Sequence, residues 1–184
     1  MVGGPNGCGK TTFAKFYARN ASLPYLGADD IAFEMAPHDD PASVRVSAGR
    51  EFSRRLAAAL TAGDSLVIES TLSGVSLARS VAAAQRSGYS ITIVLVFLDS
   101  VELCLCRIAE RVALGGHDVP EEDVRRRFRR VFPVFWQQYR PHADHCLLVF
   151  NGGESFLPVA EARHDEWTVY DSQVWNTFNL LIQG

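Results

Sequence analysis

A three-layer α/β fold with a mainly parallel sheet is predicted by three observations. Gly4-Pro5-Asn6-Gly7-Cys8-Gly9-Lys10-Thr11 reads G-x-x-x-x-G-K-T and runs straight into a helical pattern. Residues 91–98 form the most apolar run in the chain, rich in β-branched side chains, as expected of a strand buried on both faces. Elsewhere, strand-like and helix-like segments alternate along the chain.

The elements follow in order. Only Met1 and Val2 precede Gly3, so the strand expected before the glycine loop is truncated, and a gap is expected in the sheet. A first helix is predicted over 10–20. Residues 23–27 read as a short strand leading to Ala28-Asp29-Asp30-Ile31. A loop rich in Pro and Asp covers 37–41, and a long helix spans 42–62, stopped by Gly63. Residues 65–69 form a buried strand ending on Glu69. Helix 76–86 closes at Ser87-Gly88, and the strand at 91–98 follows. A helix over 100–114 breaks at Gly115-Gly116, and a very basic helix begins at Glu121. The tail holds short strands near 146–150 and 167–170 and a last helix.

Composition narrows the function. At 184 residues the chain is sized for one domain, expected to span 1–184 with a lid around 112–130. It is 47% hydrophobic and 21% charged, which supports a sizeable core. A net charge of −3 argues against a general nucleic-acid binder, whose footprint is basic. No apolar run approaches the roughly 18 residues of a membrane span, and no signal peptide is evident. A cytoplasmic protein is therefore expected, with Cys8, Cys104, Cys106 and Cys146 as reduced thiols in no zinc or disulfide spacing. Alkylation of Cys8, inside the glycine loop, is expected to block ligand binding.

The G-x-x-x-x-G-K-T stretch is a phosphate-binding loop pattern. Glycines admit backbone shapes that let successive N–H groups point at phosphate oxygens, and the helix that follows adds its positive end. Gly4, Pro5, Asn6, Gly7, Cys8, Gly9, Lys10, Thr11 and Thr12 are thus candidate nucleotide contacts. Lys10 is expected at the β- and γ-phosphates, and the Thr11 hydroxyl on Mg²⁺. Asp29 and Glu69 close two strands at the carboxyl edge of the sheet, where ligands gather in such folds. Asp29 is assigned as base toward an acceptor hydroxyl, with Asp30 as its rival. Glu69 is assigned to the acceptor or to a metal-bound water. Capping of a neighbouring helix is the alternative for both acids. Ser70-Thr71-Leu72-Ser73-Gly74 would hold acceptor groups or cap the next helix. Asp99 mimics the acid of a Walker B strand but reads better as a helix N-cap or first-turn residue. Among Arg125, Arg126, Arg127, Arg129 and Arg130, some are expected to close on transferring phosphate, with Arg126 and Arg130 on one face. His117 sits in the hinge of that lid. His142-Ala143-Asp144-His145 lacks a metal-ligand spacing. Phe132, Phe135, Trp136 and Tyr139 read as core.

The loop together with Ala28-Asp29-Asp30-Ile31-Ala32, Ala48-Gly49-Arg50, Glu69-Ser70-Thr71-Leu72-Ser73-Gly74 and Gly115-Gly116-His117-Asp118-Val119-Pro120-Glu121 resembles the zeta-toxin-like P-loop kinases. The similarity runs from residue 3 to about 151, in a branch also labelled ABC-type ATPases. It implies a kinase-like P-loop NTPase fold using ATP and Mg²⁺, with a mobile lid. It also implies Asp29 as base on a sugar hydroxyl, Glu69 as a substrate ligand, and roles for Ser73, His117 and Arg127. The known substrate of the type members, UDP-N-acetylglucosamine, and a small antitoxin partner enter by the same route.

A small-molecule kinase is the leading expectation, with catalytic Lys10, Asp29, Arg126 and Arg127, and acceptor residues Asp29, Glu69, Thr71, Ser73 and His117. A transport-type ATPase would need a Leu-Ser-Gly-Gly-Gln signature, of which Leu72-Ser73-Gly74 is only a fragment. A truncated, non-catalytic nucleotide binder is the third reading.

Overall fold

The computed structural model describes residues 1–36, 41–153 and 155–183. In chain order the elements are β1 (Val2–Gly3), α1 (Lys10–Asn20), β2 (Tyr25–Gly27), α2 (Ala28–Met35), α3 (Arg45–Ala62), β3 (Val67–Ser70), α4 (Ser76–Arg86), β4 (Thr92–Phe97), α5 (Val101–Ala113), α6 (Glu121–Val134), β5 (His145–Phe150), β6 (Leu157–Arg163), β7 (Glu166–Val169) and α7 (Ser172–Gln183). The chain divides into two compact units, Met1–Lys10 with Thr71–Gly184, and Thr11–Ser70.

In the first unit the strand order is β1-β4-β5-β6-β7. β1, β4 and β5 run parallel, as the apolar run of β4 requires, because a strand paired on both edges and covered on both faces has no polar side. β6 and β7 are antiparallel additions. The first strand is short, but its place is filled. Val2 pairs with Val94 and Gly3 with Leu95, so the gap expected from the sequence does not exist.

The core of this unit is aromatic. Phe97 of β4 meets Phe178 of α7 and Phe150 of β5, each at 5.4 Å between ring centroids, and Phe132 of α6 at 6.2 Å. Phe132, Phe135 and Tyr139 are buried as expected. Trp136 is not. It is half-buried, stacked on Trp167 at 5.7 Å, with the Arg140 guanidinium 4.5 Å from its ring. After Pro133, which has no N–H to give the helix, Phe135–Tyr139 loosens into a π-helical turn.

The second unit holds β2 and β3 as a parallel pair, with Tyr25 beside Val67 and Gly27 beside Glu69. α2 and α3 pack together there through Ile31, Ala32, Ala48, Phe52 and Leu56. α2 was not expected as a helix. α3 starts at Arg45, because Pro41–Val44 is a 3₁₀ turn, and it ends where Gly63 takes a left-handed φ of 78°. Positions 37–40 of the expected Pro- and Asp-rich loop lie outside the described residues.

Gly3 shows what positions the start of the chain. A Cβ there would overlap Cγ and Cδ1 of Leu72, which is fully buried. Leu72 itself holds a left-handed φ of 55°, costly for a residue with a branched side chain. Gly3→Ala is expected to cost about 1–3 kcal/mol through overpacking, lowering Tm by about 2–4 °C per kcal/mol. Gly49→Ala, in mid-α3 with open space around its Cβ position, is expected to raise Tm through helix propensity. Thermal denaturation of both variants checks the pair.

Candidate active site

β1 delivers the chain into the glycine loop, and α1 takes it up at Lys10. The loop is shaped by close approaches that only glycine allows. A Cβ at Gly4 would overlap the Val96 carbonyl, and one at Gly7 would lie 2.5 Å from the Cys104 carbonyl oxygen. Gly9 has a φ of 89°, and its Cβ would lie 2.6 Å from Asn151 Nδ2. That same nitrogen donates to the Cys8 carbonyl at 2.9 Å, pinning the loop from the end of β5. Lys10 is buried and donates to the Pro5 carbonyl at 3.5 Å. Thr11 and Thr12 follow in the first turn of α1, whose opening N–H groups have no partner within the helix. A glycine-rich loop feeding a helix N-terminus, with a lysine folded onto it, is an anion cradle.

Arg127 of α6 reaches that loop. Its Nη1 donates to Asn6 Oδ1 at 3.2 Å, and its Nη2 lies 3.4 Å from Asp123 Oδ2. Arg126 points elsewhere. It is 54% exposed, against 21% for Arg127, and pairs with Asp123 at 2.7 Å. Arg125 ties the start of α6 to α5, bonding Glu121 at 2.7 Å and Glu102 at 3.0 Å. The Arg125 guanidinium holds Glu102 below the usual carboxylate range. The Gly115-Gly116 break stands where expected, with φ of 83° at Gly115. Arg111 closes the turn by donating to the His117 carbonyl at 2.5 Å, leaving the His117 ring half-buried.

The two acids sit in the second unit. Asp29 lies in the first turn of α2 rather than closing β2, and it is exposed. Gly27 is the N-cap of α2 with no side-chain cap bond, so Asp29 is not a cap. Asp30 is taken up by Lys15 at 2.6 Å, while Asp29 has no such ion pair among the described residues. Of the two rivals, Asp29 is the one outside the Lys15 ion pair. Glu69 is buried within β3 and accepts a hydrogen bond from the Tyr25 hydroxyl at 2.6 Å.

Thr71 and Ser73 lie either side of Leu72, half-buried, with their hydroxyl oxygens 3.0 Å apart. Val75 is the N-cap of α4 and has no side-chain cap bond, so these hydroxyls do not cap that helix. The Tyr139 hydroxyl donates to the Gly74 carbonyl at 2.6 Å and holds the loop's far end. Asp99 is exposed and caps nothing. Ser100 is the N-cap of α5, accepting from the Leu103 N–H at 3.3 Å, because its shorter side chain stands at the extended position where the helix begins. His142 lies 3.3 Å from Gln85 Oε1, Asp144 accepts from the Ile91 N–H, and His145 lies 3.4 Å from Glu161.

Tyr25 and Asn151 are the residues that sequence reasoning missed. Neither lies in a motif, and each reaches its partner across a long stretch of sequence. The glycine at 27 was the available signal for Tyr25. Cys8 requires a correction too. It is fully buried, so direct alkylation has no access to it.

The fold and loop together define a P-loop nucleotide-binding domain of the α/β class. The AAA domain family model matches residues 1–134, and the chain belongs to that family. It is 31% identical over 125 residues to an uncharacterized protein of Haemophilus influenzae, covering 68% of this chain and 88% of the relative. In structure it is similar to a chain of the AvrRxo1-ORF1:-ORF2 complex solved with ATP (TM-score 0.78, 16% identity), covering 96% of this chain. It spans 61% of that longer chain. It is also similar to a structure of the PezAT chromosomal toxin-antitoxin system of Streptococcus pneumoniae, with a TM-score of 0.62, 13% identity, and 99% and 84% of the two chains covered. No helix among the described residues is long and apolar enough to cross a membrane.

Two outcomes follow from this geometry. Gly9→Ala is expected to abolish the thermal stabilisation given by ATP-Mg²⁺, because the new Cβ displaces Asn151 and the loop with it. A melting curve with and without nucleotide reads this directly. Burial pushes the Cys104 and Cys146 thiols up to about 12, so both resist alkylation at neutral pH. Iodoacetamide followed by peptide mass spectrometry is expected to find Cys106, the exposed thiol, modified first.

Proposed function

We propose that the protein is an ATP-dependent phosphotransferase that moves the γ-phosphate of ATP to a hydroxyl of a small metabolite. The carrying observation is the loop of residues 4–9, with glycine at 4, 7 and 9 where a Cβ would meet its surroundings, running into α1 at Lys10 with Arg127 held on Asn6. The residues suit the nucleotide and its metal. The loop's glycines leave room for phosphate oxygens against backbone N–H groups, Lys10 supplies a buried cation, and Thr11 stands where a hydroxyl ligand of Mg²⁺ is needed. Bound Mg²⁺ would neutralise charge on the β- and γ-phosphates.

In this reading Asp29 takes the proton of the attacking hydroxyl. Its freedom from the Lys15 ion pair that occupies Asp30 supports that choice. Glu69, Thr71 and Ser73 hold the acceptor, and His117 lies at the hinge of a lid around 112–130. Arg127 stabilises charge on the transferring group, and Arg126 joins it when the lid closes. The resemblance to zeta-toxin-like kinases makes UDP-N-acetylglucosamine the first acceptor to try. It also makes a small antitoxin the first protein partner to seek, a reading that the likeness to PezAT supports in fold alone.

Incubation with ATP, Mg²⁺ and UDP-N-acetylglucosamine, followed by mass spectrometry, tests the reading. The expected product is the sugar nucleotide plus one phosphate. Asp29→Ala is expected to slow its formation by on the order of 10²–10⁴. ATP-Mg²⁺ stabilisation without product would point to another acceptor. Absence of both would sink the kinase reading.

A further inference from the structure

Tyr25 has no part in the scheme above, yet its surroundings are arranged around one contact. Its hydroxyl donates to Glu69 Oε2 at 2.6 Å, a short charge-assisted bond. β2 and β3 are parallel and in register, with Tyr25 beside Val67 and Gly27 beside Glu69. Residues two apart on a strand share a face, so the Tyr25 side chain must cross residue 27 to reach Glu69. Gly27 leaves that crossing open. A Cβ there would overlap the Tyr25 hydroxyl oxygen and lie 2.9 Å from its Cζ. The backbone at Gly27 is ordinary extended chain, with φ −132° and ψ 137°. Glycine is therefore required at 27 for space and not for conformation.

The ring is held from its surroundings as well. Lys15 Nζ lies 5.3 Å from the Tyr25 ring centroid while pairing with Asp30. The charged groups facing Tyr25 are Glu69 of β3, Asp30 and Asp29 of α2, and Lys15 of α1. Burial, followed by the Glu69 charge and its hydrogen bond, pushes the phenol above the ordinary tyrosine range. The hydroxyl therefore keeps its proton, and with it the capacity to donate.

We infer that Tyr25 is a positioning residue that fixes the Glu69 carboxylate through its hydroxyl, with Gly27 providing the path. Its functional meaning rests on the proposed acceptor role of Glu69, but its geometry does not. The competing account is a plain staple between β2 and β3. That account predicts lower stability on losing the hydroxyl and an unmoved carboxylate.

The test needs no acceptor. Crystal structures of the wild type, Tyr25→Phe and Gly27→Ala show the Glu69 side chain directly. The expected result is that β3 keeps its backbone in both variants while the Glu69 carboxylate leaves its wild-type rotamer or loses order. Gly27→Ala retains the tyrosine and serves if Tyr25→Phe does not fold. An unmoved Glu69 in the variants would overturn the inference. Failure to phosphorylate UDP-N-acetylglucosamine would count against the proposed acceptor and leave this result readable on its own.

Discussion

The phosphate loop depends on the absence of side chains where its backbone meets the rest of its unit. Val96 presents a carbonyl against Gly4, Cys104 presents one against Gly7, and Asn151 reaches over Gly9 to the Cys8 carbonyl. These approaches come from β4, α5 and the end of β5. The loop is thus shaped from outside, by elements far from it in sequence. The cost of ordering such a glycine-rich stretch is high, and the surrounding contacts must offset it.

Charge is distributed to match. On α6, Arg125 is committed to the carboxylates of Glu121 and Glu102, and Arg126 to Asp123. Arg127 reaches the loop. In the second unit, one of two adjacent aspartates is neutralised by Lys15 and the other is not. A chain with many charged residues thereby presents few of them to chemistry. The ion pairs on the exposed faces contribute little stability, and their effect is to decide which groups remain available.

Much of this was legible in the sequence where a signal is local. α1 and α4 have the predicted bounds because their apolar spacing is regular and their ends carry punctuating residues. β4 was plain from its strongly apolar, β-branched sequence. α2 was missed because Asp29 and Asp30 after a short strand read as the strand's end, although two acids in a row are also what a helix's first turn favours. β6 was missed because Pro158 argues against a strand. The sheet accepts it where the β5–β6 register shifts between Leu148 and Val149. At the candidate site, the glycine loop was readable from its motif, whereas Asp29, expected to close a strand, lies in the first turn of α2. The bonds of Tyr25 and Asn151 were not readable, since they are made by tertiary placement and leave no periodic trace.

Leu72 and Gly3 carry a consequence for how this chain can change. A left-handed leucine with no exposed surface fits only because residue 3 has no side chain, and its two neighbours in sequence are Thr71 and Ser73, whose hydroxyl oxygens lie 3.0 Å apart. Neither position can drift alone. A larger residue at 3 demands a smaller one at 72, and a smaller one at 72 frees the loop that carries Thr71 and Ser73. The start of the chain and the loop after β3 are therefore tied as one inherited unit, and descendants of this sequence would be expected to alter both or neither.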